Sequence, residues 1–382
     1  MAIYLDHNAT TPCDPRVVRA MLPYFGEVFA NPANGLHPLG RQAARAVEAA
    51  REQVAALIGA SAGEIVFTSG ATESNHLAIL GAAAYAPPSR RKVITCAVEH
   101  KAVLLPFKRL EAQGFAVTLL PVDADGRVLL AELERHLDER TFLVSIQAAN
   151  NETGVLQPVR EVAALAHQVG ALCHTDAAQA VGKIPCDVEA WGIDLLSMSA
   201  HKLYGPKGIG ALYVRGGARA LPLRPLLEGG GQEAGVRAGT LNVPAIVGFG
   251  EACRICRQEL GAERARIQAL RDRFERGLLA ALPSARINAQ GAPRLPNTSS
   301  LTVPGIEADA LLLNLPEVMM GVGAACASGA VEPSHVLLAM GLSRKDAYAT
   351  IRASLGRFNT EAEIDRAIVL IAERVLALRR GG

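Results

Sequence analysis

The sequence predicts an α/β fold: a large domain built on a mostly parallel seven-stranded sheet, followed by a smaller α/β C-terminal domain. Three observations carry this. Between about residues 60 and 215, short apolar runs alternate with amphipathic stretches, the pattern of a sheet covered by helices on both faces. The 382 residues are half hydrophobic and one-fifth charged, enough for a large globular domain and a smaller one. Small-residue and polar motifs close several of the apolar runs, and in such sheets ligands sit at the carboxyl ends of strands.

The strand candidates are residues 64–68, 92–97, 116–122, 141–148, 171–175, 194–199 and 210–214. Helices are expected between them at 74–84, 101–113, 129–136 and 159–169. Earlier, Ala44, Val47, Ala50, Val54 and Leu57 recur at three-to-four spacing, which predicts a helix over 41–58 with Gly59 ending it. A long charged helix over 251–279 is expected to lead from a large domain, 1–250, into a small one, 251–382. There a strand at 300–303 and helices at 308–313 and 361–378 follow. Residues 1–20 are expected to pack on the small domain.

Several function classes are excluded cheaply. The net charge of +2 and the single Trp argue against nucleic acid as a partner. No apolar run reaches the ~18 residues of a membrane span, and the first residues carry neither a basic leader nor an apolar signal core, so a cytoplasmic protein is expected. Seven scattered cysteines, an odd number, argue for reduced thiols. Cys253 and Cys256 form one CxxC with no second pair nearby. A metal centre needs about four ligands, so no metal is expected.

The chemistry concentrates at three strand ends. In the stretch from Asp194 to Gly208, an apolar strand delivers Ser199, His201 and Lys202 into a loop rich in Gly and Pro. A lysine near the end of a buried strand has its pKa depressed, the condition for a Schiff-base amine. Asp176, in Cys173-His174-Thr175-Asp176-Ala177-Ala178-Gln179, also ends an apolar strand. A carboxylate there can keep the pyridine nitrogen of pyridoxal phosphate (PLP) protonated, and Gln179 follows one helical turn later. Phe67-Thr68-Ser69-Gly70-Ala71-Thr72-Glu73-Ser74-Asn75 reads as strand, small-residue turn and helix start, an anion site without the lysine of a nucleotide P-loop. Singly, these would serve as well as a surface lysine, a helix N-cap and a capped helix start. Together they supply an aldehyde partner, a nitrogen partner and a phosphate cradle.

These residues, with further motifs nearly end to end, resemble the NifS/IscS-type cysteine desulfurases, fold-type-I PLP enzymes of the class-V aminotransferase group. The resemblance runs through Tyr4–Pro12, 68–75, Val98-Glu99-His100, 149–154, 174–179 and 199–202. It continues at 229–233, 237–240, 326–329, 332–336 and 351–357. It implies that Lys202 holds the cofactor covalently, Asp176 pairs its ring nitrogen, His100 stacks on the ring and serves catalysis, and Gln179 meets its phenolic oxygen. Ala71, Thr72, Ser199 and His201 are implied for the phosphate, with Thr240 donated by a neighbouring subunit and hence a homodimer. Asn151 and Arg352 are implied for cofactor and substrate, L-cysteine.

Cys326 stands in a run of small residues that predicts a surface loop; on composition alone it could equally be a small core residue. The resemblance implies that it receives sulfur from L-cysteine as a persulfide, with alanine released, and passes it to a sulfur-acceptor protein. Iron–sulfur scaffolds, tRNA-thiolation carriers and dedicated biosynthetic partners are all open. Ala324 and Ala327 stand where the family usually has hydroxyl residues, which leaves selenocysteine lyase as an alternative, beside another class-V PLP enzyme such as an aminotransferase and, more remotely, a non-catalytic sulfur-relay scaffold.

Overall fold

The computed structural model describes residues 2–322 and 332–381. The chain opens with β1 (Ile3–Tyr4). Next come β2 (Ile65–Thr68), β3 (Lys92–Cys96), β4 (Ala116–Leu120), β5 (Thr141–Ser145), β6 (Leu172–Asp176), β7 (Leu195–Ser199) and β8 (Gly210–Val214), which form one seven-stranded sheet in the order β2-β8-β7-β6-β5-β3-β4. All seven strand candidates are therefore strands of one sheet. Pairing is parallel from β7 through β6, β5 and β3 to β4, while β8 is antiparallel to both its neighbours. Because β2 opposes β8 as β7 does, β2 runs with the parallel set. Six carboxyl ends thus share one edge of the sheet.

Helices cover this sheet, and their limits differ from the sequence expectations for local reasons. The helix expected at 41–58 spans Pro38–Leu57, since His37 accepts from the Gly40 N–H as N-cap and Pro38 supplies a preset φ. Gly59 follows it at φ +70°, as a C-terminal glycine should. The helix expected from 74 begins at Ala71, then widens into a π-helical turn at Leu77–Gly81. The long helix starts at Val243 rather than 251, capped by the Asn242 side chain, and runs to Ala281. Its amino-terminal half buries Ile246, Phe249, Cys253 and Cys256 in the core of the large sheet's layer, packed mainly against the Pro38–Leu57 helix. The CxxC is thus part of an apolar helix face, with both thiols free.

The carboxyl-terminal half of that helix buries Ile267, Leu270, Phe274 and Leu278 in a second core. This core covers a four-stranded sheet of β9 (Arg286–Ile287) and β10 (Thr298–Thr302), joined after β11 (Val318–Met319) by β12 (Gly321–Val322) and β13 (Thr350–Ser354) in the order β12-β13-β10-β9. β1 pairs with β11, Ile3 opposite Val318, which fixes the chain start beside this sheet. Helices at Ala308–Leu313 and Glu361–Gly381 complete the layer. Among the described residues, no helix is long and apolar enough to cross a membrane.

Phe274 is fully buried where the long helix meets the second core. Phe274→Ala should lower unfolding stability by roughly 3–5 kcal/mol through lost burial and a cavity. Urea denaturation with an unchanged midpoint would show that this core does not hold the helix in place.

Candidate active site

The shared strand edge is where the candidate residues meet. A cleft of about 560 Å³ is lined by Ala71, Thr72, His100, Asn151, Asp176, Gln179, Ser199, His201, Lys202 and Arg352. Each arrives there by its strand. β6 ends on Asp176 and its parallel neighbour β7 ends on Ser199, after which one 3-10 turn, Ala200–Lys202, carries His201 and Lys202. β3 leads to His100, β5 to Asn151, and β2 to the turn before Ala71. Arg352 comes from β13 of the other sheet. Two predicted residues stand apart. Thr240 is exposed and outside the cleft lining, and Cys326 lies outside the described residues.

The turn before Ala71 depends on glycine twice. Gly70 adopts φ +153°, and the helix start it precedes has no side-chain cap, so its first N–H groups stay free. A Cβ on Gly210, where β8 begins, would fall 2.5 Å from the Met198 carbonyl and 2.6 Å from the Gly70 Cα. Strand β8 therefore packs directly against this turn. Glu73 braces it, accepting from the Ser69 N–H at 2.6 Å and from Arg237 Nε at 3.0 Å. The second contact ties the 237–240 stretch to the helix start.

Lys202 donates to the backbone carbonyls of Asn8 and, at 2.7 Å, Ala9. Enclosure pushes its amine down to about 8, and the Arg352 guanidinium adds to this against the opposing pull of Asp176 and Asp6. The following residues clamp the turn. Tyr204 sits at φ +65°, a costly backbone state for a bulky residue. It is held by its N–H to Thr11 Oγ1 at 2.9 Å and by Arg357 stacked 4.2 Å over its ring. Asp176, buried, accepts from Asn75 Nδ2 at 2.7 Å and from the Ala178 N–H at 2.9 Å. His100 opens its ring to the cleft, and Nδ1 accepts from the Ala102 N–H at 3.0 Å, leaving the proton on Nε2. The mass around it pulls its pKa below the usual histidine value, against Asp176. His201 falls to about 4 through enclosure and the nearby Lys202 and Lys207.

Arg352 donates to Asp6 Oδ1 at 2.7 Å and to the Asn151 carbonyl at 3.1 Å, while its Nε is buried without a partner. A cleft with a half-buried amine, a buried carboxylate, an uncapped helix start and a guanidinium with a spare N–H fits PLP and an amino-acid carboxylate in its donor set. Asn8, Asn75, Glu99, Gln147 and Lys183 carry no role in the sequence expectations, yet all five surround the site. Asn8 sits in the 4–12 motif and Asn75 ends the 68–75 motif, so position in a motif was the available signal. Lys183 carried none.

Glu99, behind His100, is buried with Oε1 accepting from the Gln147 N–H at 2.7 Å and Oε2 unpartnered. Burial pushes its carboxyl up to about 8. The fold thus binds a proton that the unfolded chain releases near pH 4.5, and Glu99 costs stability increasingly as pH rises from there to about 8. Glu99→Gln, free of this cost, should gain stability relative to wild type across that window, by at most roughly 1.4 kcal/mol per pH unit. Parallel denaturation curves at pH 5 and 8 check it; a constant difference would contradict a buried neutral carboxyl.

The aminotransferase class-V family profile matches residues 3–367. A protein named cysteine desulfurase IscS from Anaeromyxobacter sp. (strain Fw109-5) is 50% identical over 377 residues, covering 99% of this chain and 93% of that one. A mitochondrial cysteine desulfurase of Arthroderma benhamiae is 47% identical over 379 residues, covering 99% of this chain and 75% of that one. Among solved structures, a NifS-like protein superposes with a TM-score of 0.90 at 41% identity, covering 99% of this chain and all of that one. A structure titled SspA in complex with cysteine superposes with a TM-score of 0.80 at 36% identity, covering 94% of this chain and all of that one. With a family match over nearly the whole length and relatives at half identity, the chain belongs to the class-V aminotransferase family, in its branch of NifS/IscS-type cysteine desulfurases.

Proposed function

We propose that this cleft takes sulfur from L-cysteine with PLP held covalently at Lys202, and that Cys326 receives the sulfur. The observation that carries the proposal is the meeting of a half-buried amine and a buried carboxylate, Lys202 and Asp176, beyond the ends of adjacent parallel strands in one cleft. Bound there, PLP would supply an aldehyde and an electron sink for charge developing at the substrate Cα.

The chain's own residues do the rest. Asp176, its carboxylate fixed by Asn75 and Ala178, keeps the ring nitrogen protonated. The free N–H groups at Ala71 and Thr72, with Ser199 and His201, hold the phosphate, and Gln179 meets the phenolic oxygen. Arg352 takes the substrate carboxylate beside Asn151, using a guanidinium already oriented by Asp6. Lys202 removes the Cα proton; with its pKa near 8, an unprotonated fraction is present at neutral pH. His100 exchanges a proton at Nε2. The Cys326 thiolate forms a bond to the substrate sulfur as the Cβ–S bond breaks. The electron pair of that bond stays with the substrate, Cβ takes up a proton, Lys202 returns the proton to Cα, and alanine leaves.

A homodimer would bring Thr240 of the partner subunit to the phosphate. In support, Phe25, Phe29 and Leu36 are exposed, and Asn31–Ala33 face Gln232, Glu233 and Leu241 across a shared groove. We place the domain division near residue 250, within the long helix, and favour an iron–sulfur scaffold as acceptor on the likeness to IscS-named relatives.

With PLP and L-cysteine, the protein should release alanine, and Cys326→Ala should lose that release by more than about 100-fold while keeping its yellow colour. Unimpaired release by the variant would refute the role of Cys326. Parallel assay with L-selenocysteine separates the lyase alternative, which predicts turnover of selenocysteine alone.

A further inference from the structure

Lys183 stands seven residues beyond Asp176, behind the cleft wall rather than in it, and nothing in the reaction above uses it. Its amine donates to two side-chain amides, Gln179 Oε1 at 2.5 Å and Asn8 Oδ1 at 2.9 Å. An amine of this kind is a donor, so both amides must turn their oxygens toward it. For Gln179 this settles the direction of Nε2, which donates one N–H to the Asn8 carbonyl at 2.9 Å. The second N–H has no protein partner among the described residues, and Gln179 lines the cleft. Asn8 is locked in the same way: its Oδ1 also accepts from Asn297 at 3.0 Å, while its Nδ2 donates to Thr298 Oγ1 at 2.9 Å and to the Asn151 carbonyl at 3.1 Å.

We propose that Lys183 is a positioning residue that locks the Gln179 amide, so that a donor and never an acceptor faces the phenolic oxygen of bound PLP. The inference rests on the cofactor placement proposed above and adds how its hydrogen-bond polarity is enforced. A reversed Gln179 amide would set two N–H groups against the Lys183 amine and leave an oxygen against the phenolic oxygen. Enclosure, with Lys202 and Arg352 nearby, holds the Lys183 pKa well below the usual lysine value. The charged amine has no lone pair to accept from a reversed amide. When the amine is neutral it still offers one N–H to each amide oxygen, and the Asn8 carbonyl, which only accepts, keeps Nε2 turned toward it. Titratable and charged groups around the cluster include Lys202, Arg352, His201 and His7, with Asp176 and Asp6 acting on Lys202, and Glu263 and Arg264 lining the small cavity beside Lys183.

A donor at the phenolic oxygen stabilises its anionic form and lowers the pH at which the visible band of the PLP-loaded protein changes. In Lys183→Met the amide loses one of the two contacts that fix its direction, and the midpoint of that spectral titration should rise, by up to about one pH unit, the worth of one hydrogen bond to a charged group. In a Gln179→Leu background, adding Lys183→Met should move the midpoint by far less, because the group through which Lys183 acts is gone. No rise in the single variant overturns the proposal. So does an equal rise in both backgrounds, which would mean that Lys183 acts by charge across space. Lys183→Ala replaces the methionine variant in the same comparison if that one fails to fold. A wild-type protein with no visible band overturns the cofactor placement and this inference with it, whereas a wild-type band with no effect of Lys183 overturns this inference alone.

Discussion

An amine held where its charge is disfavoured is the constraint on which this site depends. Lys202 reaches the cleft on a single turn after β7, and enclosure with a neighbouring guanidinium keeps its pKa near 8. That placement needs rigid backbone on both sides. Upstream, β7 is buried along its whole length between two neighbours. Downstream, Tyr204 holds a left-handed backbone under the Arg357 stack, and Arg357 is itself paired with Asp14 and Glu263 at 2.8 Å. Partners that cross from the small sheet region to the lysine turn make the amine's position a property of both cores.

The chain start is the second element of that design. Residues 3–10 run beside β11 and β13, then enter the cleft, where the Asn8 carbonyl takes N–H groups from both Gln179 and Lys202. Asn8 also bonds Ser354 on β13 and Thr298 on β10. Substrate-side and cofactor-side groups thereby share one segment: Asp6 orients Arg352, and two residues later Asn8 orients Lys202. A displacement of this segment would disturb the carboxylate site and the lysine together.

The large sheet was legible because each strand candidate is a short apolar run with turn residues after it, the pattern of strands buried on both faces. Strand ends then told where Asp176 and Lys202 meet. The two smaller sheets, β1-β11 and β12-β13-β10-β9, were much less legible. β1, β9, β11 and β12 are two residues long, too short for periodicity, and the polar Thr298-Ser299-Ser300 is buried by pairing rather than by hydrophobicity. Helix starts slipped where caps did the work, as at His37 and Asn242. In the site, ionisable residues in motifs were readable, but Lys183 was not. Its importance comes from two amides brought to it by tertiary folding, one of them 175 residues away.

The central claim is that the enclosed amine at position 202 is the one that joins the cofactor. Borohydride reduction of the PLP-loaded protein, followed by peptide mapping, tests it directly. The account predicts a stable adduct on Lys202 and none on Lys183 or Lys207, both of which lie close by. An adduct on either of those, or a protein that takes up no cofactor at all, would contradict it.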